Sequence, residues 1–169
     1  MNVDETTTYT DGDRTRKLTI WQQNLNRSAI AQQHLLHEAS DRFDILALQE
    51  PHVDYFGNTR SLHKYITVTP PGHRENPTKT RSIILVNSRL LPNSWTTIKI
   101  PHPDVTAVEI MGTFGTLRIV NTYVVTKCSN GVYQRRTWGT AMRTEVRGAK
   151  LNSNRNSSGD LVPMTSQIY

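Results

Sequence analysis

The sequence predicts an α+β fold in which one βαβ unit is followed by mostly antiparallel strands. Two apolar segments that end in polar residues flank a stretch with helical periodicity, as in a βαβ unit. Beyond them, short apolar segments alternate with turns rich in Pro, Gly and Asn, which favours antiparallel strands. At 169 residues, the chain is long enough for one domain with a substantial core.

The first half of the βαβ unit is a strand followed by a helix. The strand is apolar from Leu18 and ends in the amide side chains of Asn24 and Asn26. Ser28 is a suitable N-cap residue, and Ala and Leu recur at helical spacing over residues 29–40. We therefore predict a helix that begins just after Ser28.

The second strand of the unit contains four consecutive apolar residues, 45–48, which predicts burial on both faces. It ends at Glu50 because Pro51 cannot continue the hydrogen-bonded ladder. If the two strands run parallel, Asn24 and Glu50 lie at the same edge of the sheet, where open α/β sheets place their sites. The alternative is that Glu50 is a solvated strand end.

Further strands are predicted wherever apolar residues alternate or cluster between turn signals. Pro70 and Pro71, Pro92, Pro101 and the Gly112/Gly115 pair provide those signals. The predicted strands cover residues 62–69, 81–87, 94–100, 105–111 and 116–125.

Composition divides the chain into three parts. Residues 1–16 are predicted to be a disordered leader, residues 17–125 a folded domain, and residues 126–169 a divergent, largely disordered basic tail. Residues 1–125 have 13 Lys and Arg against 12 Asp and Glu, whereas the tail has 7 against 2. The net charge of +6 therefore lies mainly in the tail and does not indicate DNA binding by the folded part.

Several features bear on where the protein resides. The single cysteine, Cys128, excludes an internal disulfide and favours a reducing compartment. No apolar segment approaches the about 20 residues that a membrane span requires. The polar N-terminus is unlike a signal peptide. We predict an intracellular protein, neither secreted nor in a membrane, for which the nucleus is one suitable compartment.

Three histidines are candidates for a functional role. His34 and His37 are three residues apart on the predicted helix, a spacing that can bind metal. No matching Cys or carboxylate pair accompanies them, so solvated surface histidines are the favoured interpretation. His52 is close to Glu50 in sequence, and its alternatives are a role in a site or an ordinary loop position.

Three short motifs, in order and at suitable spacing, resemble those of the endonuclease/exonuclease/phosphatase superfamily. They are Asn24-Leu25-Asn26, Leu48-Gln49-Glu50 and Asn121-Thr122-Tyr123. The chain is most similar to the apurinic-type endonuclease domain of non-LTR, LINE-like retrotransposons, especially fungal ones, over about residues 17–125. This resemblance implies a two-sheet α/β sandwich that hydrolyses DNA phosphodiesters with Mg²⁺, or Mn²⁺, and needs no small-molecule cofactor.

The resemblance also implies roles for individual residues. Glu50 would ligate the metal, and Asn24 beside it would orient the metal or the phosphate. Asn26 would contact phosphate or DNA, although some relatives carry Asp at this position. Tyr123 would contact the scissile phosphate, and its alternative is a half-buried aromatic at a strand end.

Two further motifs of the family are missing from this sequence. They are Gly-Asp-x-Asn and Ser-Asp-His, which supply the base and an Asp-paired histidine. After Tyr123 the chain has only Gly159-Asp160, and it has no histidine after His102. We therefore predict a truncated, inactive domain, an incomplete half of the sandwich with an unrelated tail. The exposed sheet face of a half-sandwich would promote self-association. The alternative function is a non-enzymatic α/β module that binds nucleic acid or protein through its basic tail.

Overall fold

The structure, a computed structural model, describes the backbone of residues 5–11, 14–39, 42–112 and 115–124 and four short strands beyond them. Side chains are described for residues 18–39, 42–112 and 115–124. The helix is α1 (Ala29–Ala39), and the strands are β1 (Glu5–Asp11), β2 (Arg14–Asn24), β3 (Ile45–Gln49), β4 (Tyr65–Val68), β5 (Ser82–Asn87), β6 (Trp95–Ile98), β7 (Val105–Gly112), β8 (Gly115–Thr122), β9 (Thr126–Lys127), β10 (Tyr133–Gln134), β11 (Gly139–Glu145) and β12 (Val162–Pro163).

The first sheet has the strand order β1-β2-β3-β5-β4 and contains the predicted βαβ unit. β2 and β3 run parallel with Asn24 opposite Gln49, and α1 connects them. Every other pair of neighbours in this sheet is antiparallel. The predicted α+β class is confirmed, and the parallel pairing brings Asn24 and Glu50 to the same edge of the sheet.

Helix α1 is fixed at both ends by side chains. The Ser28 hydroxyl accepts a hydrogen bond from the Ala31 amide at 3.2 Å, which confirms the predicted N-cap. The Tyr65 hydroxyl lies within hydrogen-bond distance of the Ala39 and Phe43 carbonyl oxygens, at 3.1 and 2.9 Å. In the described part of the chain, no helix combines the length and apolarity needed to cross a bilayer.

The two faces of the first sheet pack against different partners because successive side chains of a strand point to opposite sides. Leu46, Leu48 and Leu85 form a cluster with Leu35 and Leu36 of the helix. Ile45, Ile84 and Val86 belong instead to a cluster shared with the second sheet, together with Leu18, Ile20, Val68, Leu90, Val108, Ile110, Leu117 and Ile119. The described core therefore has three layers, a helix and two sheets.

The second sheet covers the sheet face that was predicted to be exposed. It is antiparallel, with the order β12-β11-β8-β7-β6. Val108, Ile110, Leu117 and Ile119 are each at most 2% exposed and pack against the first sheet. The prediction that the inner face of the first sheet is exposed was thus wrong for the described residues, because β6, β7 and β8 form a second layer that buries this face. That the sandwich is incomplete remains a prediction of the resemblance.

The structure also places strands in the segments predicted to be disordered. β1 lies in the predicted leader and pairs with β2 over seven residues, consistent with the strand propensity of its Thr and Tyr residues. β11 pairs with β8 over the whole of Gly139–Glu145. The other residues of the predicted tail, including Cys128, mostly lie outside the described part of the chain.

A buried ion pair ties β2 to β3 at the end of the sheet opposite Glu50. The Asp44 carboxylate accepts hydrogen bonds from the Thr19 amide and hydroxyl, both at 2.8 Å, and from Arg89 Nε at 2.6 Å. The Asp44 side chain is 2% exposed and that of Arg89 is 33% exposed. Because the carboxylate is hydrogen-bonded on both oxygens, this pair fixes the start of the parallel strands.

Candidate functional site

Glu50 occupies a strained and buried position directly after β3. Its φ angle is +44°, in the left-handed region, and the residue is 4% exposed. Its amide donates to the Arg81 carbonyl at 2.8 Å, and its own carbonyl accepts from the Arg27 amide at 2.7 Å. Such a conformation costs on the order of 1–3 kcal/mol in a non-glycine residue and is concentrated at functional sites. Glu50 is therefore the strongest candidate for a functional carboxylate.

Asn24 and Asn26 form the loop that faces Glu50 after β2. The Asn24 Oδ1 atom accepts a hydrogen bond from the Asn26 amide at 2.8 Å, and Asn26 has a positive φ of 48°. The loop is held against β3 because the Leu25 amide donates to the Gln49 carbonyl at 2.8 Å. One lone pair of this oxygen is used within the loop, which leaves the second lone pair and the Nδ2 donor for a ligand. Asn26 itself is exposed to solvent.

Tyr123 lies just beyond β8 at the same edge and is more buried than predicted. It is 7% exposed, and its amide donates to the Asp104 carbonyl at 2.8 Å. The Arg81 guanidinium lies over its ring, with the guanidinium carbon 4.9 Å from the ring centroid. The Arg81 guanidinium therefore covers one face of the Tyr123 ring.

Arg81 links the elements of the site. Its Nε and Nη2 atoms donate to the two oxygens of Asp104 at 2.7 and 2.9 Å, and its side chain remains 33% exposed. Burial works against the charged form, but the hydrogen-bonded and charged Asp104 carboxylate, with smaller contributions from Tyr123 and Glu50, raises the pKa of Arg81 above its ordinary value. The site therefore contains a fixed positive charge near the Glu50 carboxylate.

No local pattern in the sequence singles out Arg81 or Asp104. Arg81 directly precedes a buried strand, a common place for a charged residue, and Asp104 lies 23 residues further on. The antiparallel pairing of Gln49 with Ser82 is what places Arg81 beside Glu50. Had that pairing been assumed, the position of Arg81 at this edge could have been anticipated.

A buried polar network joins the two sheets beneath the site. The Asn121 Nδ2 atom donates to the Leu48 and Ile83 carbonyls, both at 2.9 Å, and Gln49 Nε2 donates to Asn121 Oδ1 at 3.2 Å. The Ser82 hydroxyl adds a bond to the Asn121 carbonyl at 2.9 Å. Asn121 is 0% exposed. The first residue of the Asn121-Thr122-Tyr123 motif therefore connects β8 to β3 and β5.

The histidines differ in their surroundings. His34 is exposed and lies 3.6 Å from Glu38, in keeping with a solvated surface position. The His52 amide donates to Gln32 Oε1 at 2.8 Å, while its ring Nδ1 is buried and makes no hydrogen bond within the described part of the chain. A functional role for His52 remains a hypothesis.

The donor set suits a hard cation bound by one carboxylate. Among the described residues, no three His, Cys, Asp or Glu side chains converge on a common point. Mg²⁺ does not require such a cage, because it is commonly bound by one or two carboxylates together with waters and substrate phosphate oxygens. The buried carboxylate of Glu50, at the same sheet edge as Asn24, fits that mode of binding.

Comparisons with protein-family models, curated proteins and solved structures found no match to this chain.

Proposed function

We propose that this edge of the sheet is a Mg²⁺-dependent site for a DNA phosphodiester, of the kind found in the endonuclease domains of LINE-like retrotransposons. The observation that carries the proposal is the strained, buried Glu50, which shares the sheet edge with Asn24, Arg81 and Tyr123. The motif resemblance supports the choice of metal and substrate. The intracellular location follows from that choice, with the nucleus as the compartment that holds DNA.

In this proposal each residue has a distinct task. Glu50 holds Mg²⁺, or Mn²⁺, which when bound would polarise a phosphoryl oxygen and neutralise charge on the leaving oxygen. Arg81 keeps guanidinium N–H groups beyond the two that bind Asp104, and these can donate to a phosphate oxygen. Asn24 can add a donor through Nδ2. Tyr123 supports Arg81 from below.

We further propose that the site binds its phosphodiester without rapid turnover. The sequence lacks the Gly-Asp-x-Asn and Ser-Asp-His motifs that supply a base and an Asp-paired histidine in the family. A positioned acid or base contributes about 10²–10⁴ in rate. With both missing, the remaining residues can bind and orient a phosphodiester but do not move the protons that hydrolysis requires.

Removing the Glu50 charge should abolish the response of the protein to Mg²⁺. At ten times its dissociation constant, Mg²⁺ stabilises the folded state by about 1.4 kcal/mol, which raises the Tm by about 4 °C. Glu50→Gln should eliminate this rise because the amide is a poorer ligand. Thermal unfolding in Mg²⁺ and in EDTA measures the effect, with Glu75→Gln at an exposed position as the matched control.

An equal Mg²⁺ response in Glu50→Gln would contradict the assignment of Glu50 as the metal ligand. The non-enzymatic alternative makes a different prediction: Glu50→Gln is silent, and deletion of the basic tail, residues 126–169, abolishes binding.

Supercoiled plasmid should remain intact when incubated with the purified chain and Mg²⁺. The physical reason is the missing base, and the measurement is the conversion of supercoiled to nicked DNA on a gel. The wild-type chain, Glu50→Gln and an EDTA sample are compared, after circular dichroism has shown that each protein is folded. Nicking that occurs only with Mg²⁺ and intact Glu50 would show that the chain possesses a substitute base.

A further inference from the structure

Two neighbouring aromatic residues project from the loop that follows Glu50. Tyr55 is 97% exposed and Phe56 is 83% exposed, and their rings meet edge to face with centroids 5.5 Å apart. Residues 54–58, the aromatic tip, thus present large apolar surfaces to solvent at adjacent positions. Single exposed apolar side chains are ordinary, whereas a pair of adjacent, almost fully exposed rings suggests a binding function.

The aromatic tip is held in one conformation by hydrogen bonds. Asp54 Oδ1 accepts from the amides of Phe56 and Asn58 at 2.9 and 2.8 Å, and the Asp54 amide donates to the Asn58 carbonyl at 2.8 Å. Gly57 has a φ of +81°, and a Cβ atom there would approach Pro77 to 2.7 Å. The rings are therefore presented by an ordered turn, which lowers the entropic cost of binding a partner.

The base of the same loop is attached to the helix through Gln32, which is 0% exposed. Its Nε2 atom donates to Thr59 Oγ1 at 2.9 Å and to the Arg60 carbonyl at 2.6 Å. Its Oε1 atom accepts from the His52 amide at 2.8 Å. Both ends of the loop are thus hydrogen-bonded to α1, so the aromatic tip has a fixed position relative to Glu50.

The aromatic tip carries one carboxylate, Asp54, and adjoins a segment that has two cationic residues, Arg27 and Lys79, beside or within it. Pro77, against which Gly57 packs, is followed by Thr78, whose carbonyl accepts a hydrogen bond from Arg27 Nη2 at 3.3 Å. Lys79 is next in the chain and exposed. Tyr55 is five residues from Glu50, so the two Cα atoms are at most about 18 Å apart. The aromatic rings, the cations and the proposed phosphodiester site therefore lie close enough for one DNA strand of a few nucleotides to reach all of them.

We propose that Tyr55 and Phe56 form a stacking surface for the bases of single-stranded or locally unpaired DNA, with Arg27 and Lys79 contacting the adjoining phosphates. This inference rests on the proposed function, which places a DNA phosphodiester at the edge of the sheet that carries Glu50. Stacked bases of an intact duplex cover each other's faces, so protruding rings can stack only on bases released from the helix. A nucleic acid is favoured over a protein partner because Arg27 and Lys79 adjoin the loop and can contact the phosphates between stacked bases.

The test uses the full-length chain in EDTA and three labelled probes: octathymidylate, an octamer of abasic sugar-phosphates and a blunt DNA duplex. Tyr55→Ala and Phe56→Ala should each weaken octathymidylate binding about 10-fold in fluorescence anisotropy and leave binding of the abasic probe unchanged. The slope of log K against log salt should stay the same, because the rings neutralise no phosphate. Tyr55→Phe should retain binding, and Ile30→Ala, at an apolar position 82% exposed, should have no effect.

The outcomes separate this inference from the proposed function. Equal loss for octathymidylate and the abasic probe, or no loss for either, would overturn the stacking surface. If Tyr55→Ala and Phe56→Ala weakened binding of the blunt duplex as much as binding of octathymidylate, the proposed preference for unpaired bases would be overturned. Because EDTA removes the metal, ring-dependent binding together with a failed Mg²⁺ test would sustain the stacking surface and refute the metal site.

Discussion

Replacing Asn121 with Asp is expected to lower the free energy of unfolding by about 4 kcal/mol, because two buried hydrogen bonds are lost and a negative charge is buried in their place. The Nδ2 atom of Asn121 donates to the Leu48 and Ile83 carbonyls. In the variant, a carboxylate oxygen would face those two carbonyl oxygens in a position with no access to solvent. Asn121→Ala removes the donors without adding a charge and should cost about 3 kcal/mol.

Urea denaturation of the two variants measures this effect, and Asn93→Ala provides a matched control. Asn93 is an exposed asparagine, so its replacement should change the free energy of unfolding by less than about 0.5 kcal/mol. The same network joins the strand before Tyr123 to the strands that flank Glu50 and Arg81. If Asn121→Asp proved as stable as Asn93→Ala, the network would not be the link between the sheets.

Arg81→Met should change the affinities for metal and for phosphodiester in opposite directions. Loss of a positive charge near Glu50 removes a repulsion on the order of 1 kcal/mol, so the affinity for Mn²⁺ should rise about five-fold. Loss of charged donors should weaken binding of the dinucleotide TpT about 10-fold. Electron paramagnetic resonance of free Mn²⁺ and NMR titration with TpT measure the two effects.

Arg89→Met is the control for Arg81→Met. Both arginines bind an aspartate through Nε and are 33% exposed, but they lie at opposite ends of β5. Arg89→Met should destabilise the fold and leave both affinities unchanged. A decrease in both affinities for Arg81→Met would mean that Arg81 acts only as a structural residue.

Local patterns in the sequence predicted much of the fold. Alternating and clustered apolar residues located β3, β5 and β7, and Ser28 located the start of α1. These features depend on residues close together in sequence, because side-chain periodicity and helix capping are set within a few residues. The polar residues that end β2 and β3 likewise predicted which edge of the sheet would carry Asn24 and Glu50.

Other features depend on pairings that no local pattern encodes. Three contacts join residues that are distant in sequence: the packing of the second sheet on the first, the Arg81–Asp104 pair, and the contact of Arg81 with the buried Tyr123. The strained backbone of Glu50 is likewise held by the Arg27 amide and the Arg81 carbonyl. A carboxylate at a strand end can be recognised from its neighbours in the chain. Its burial, its strain and its cationic neighbour were decided by the tertiary structure, because strand pairing and sheet packing alone set which distant groups meet.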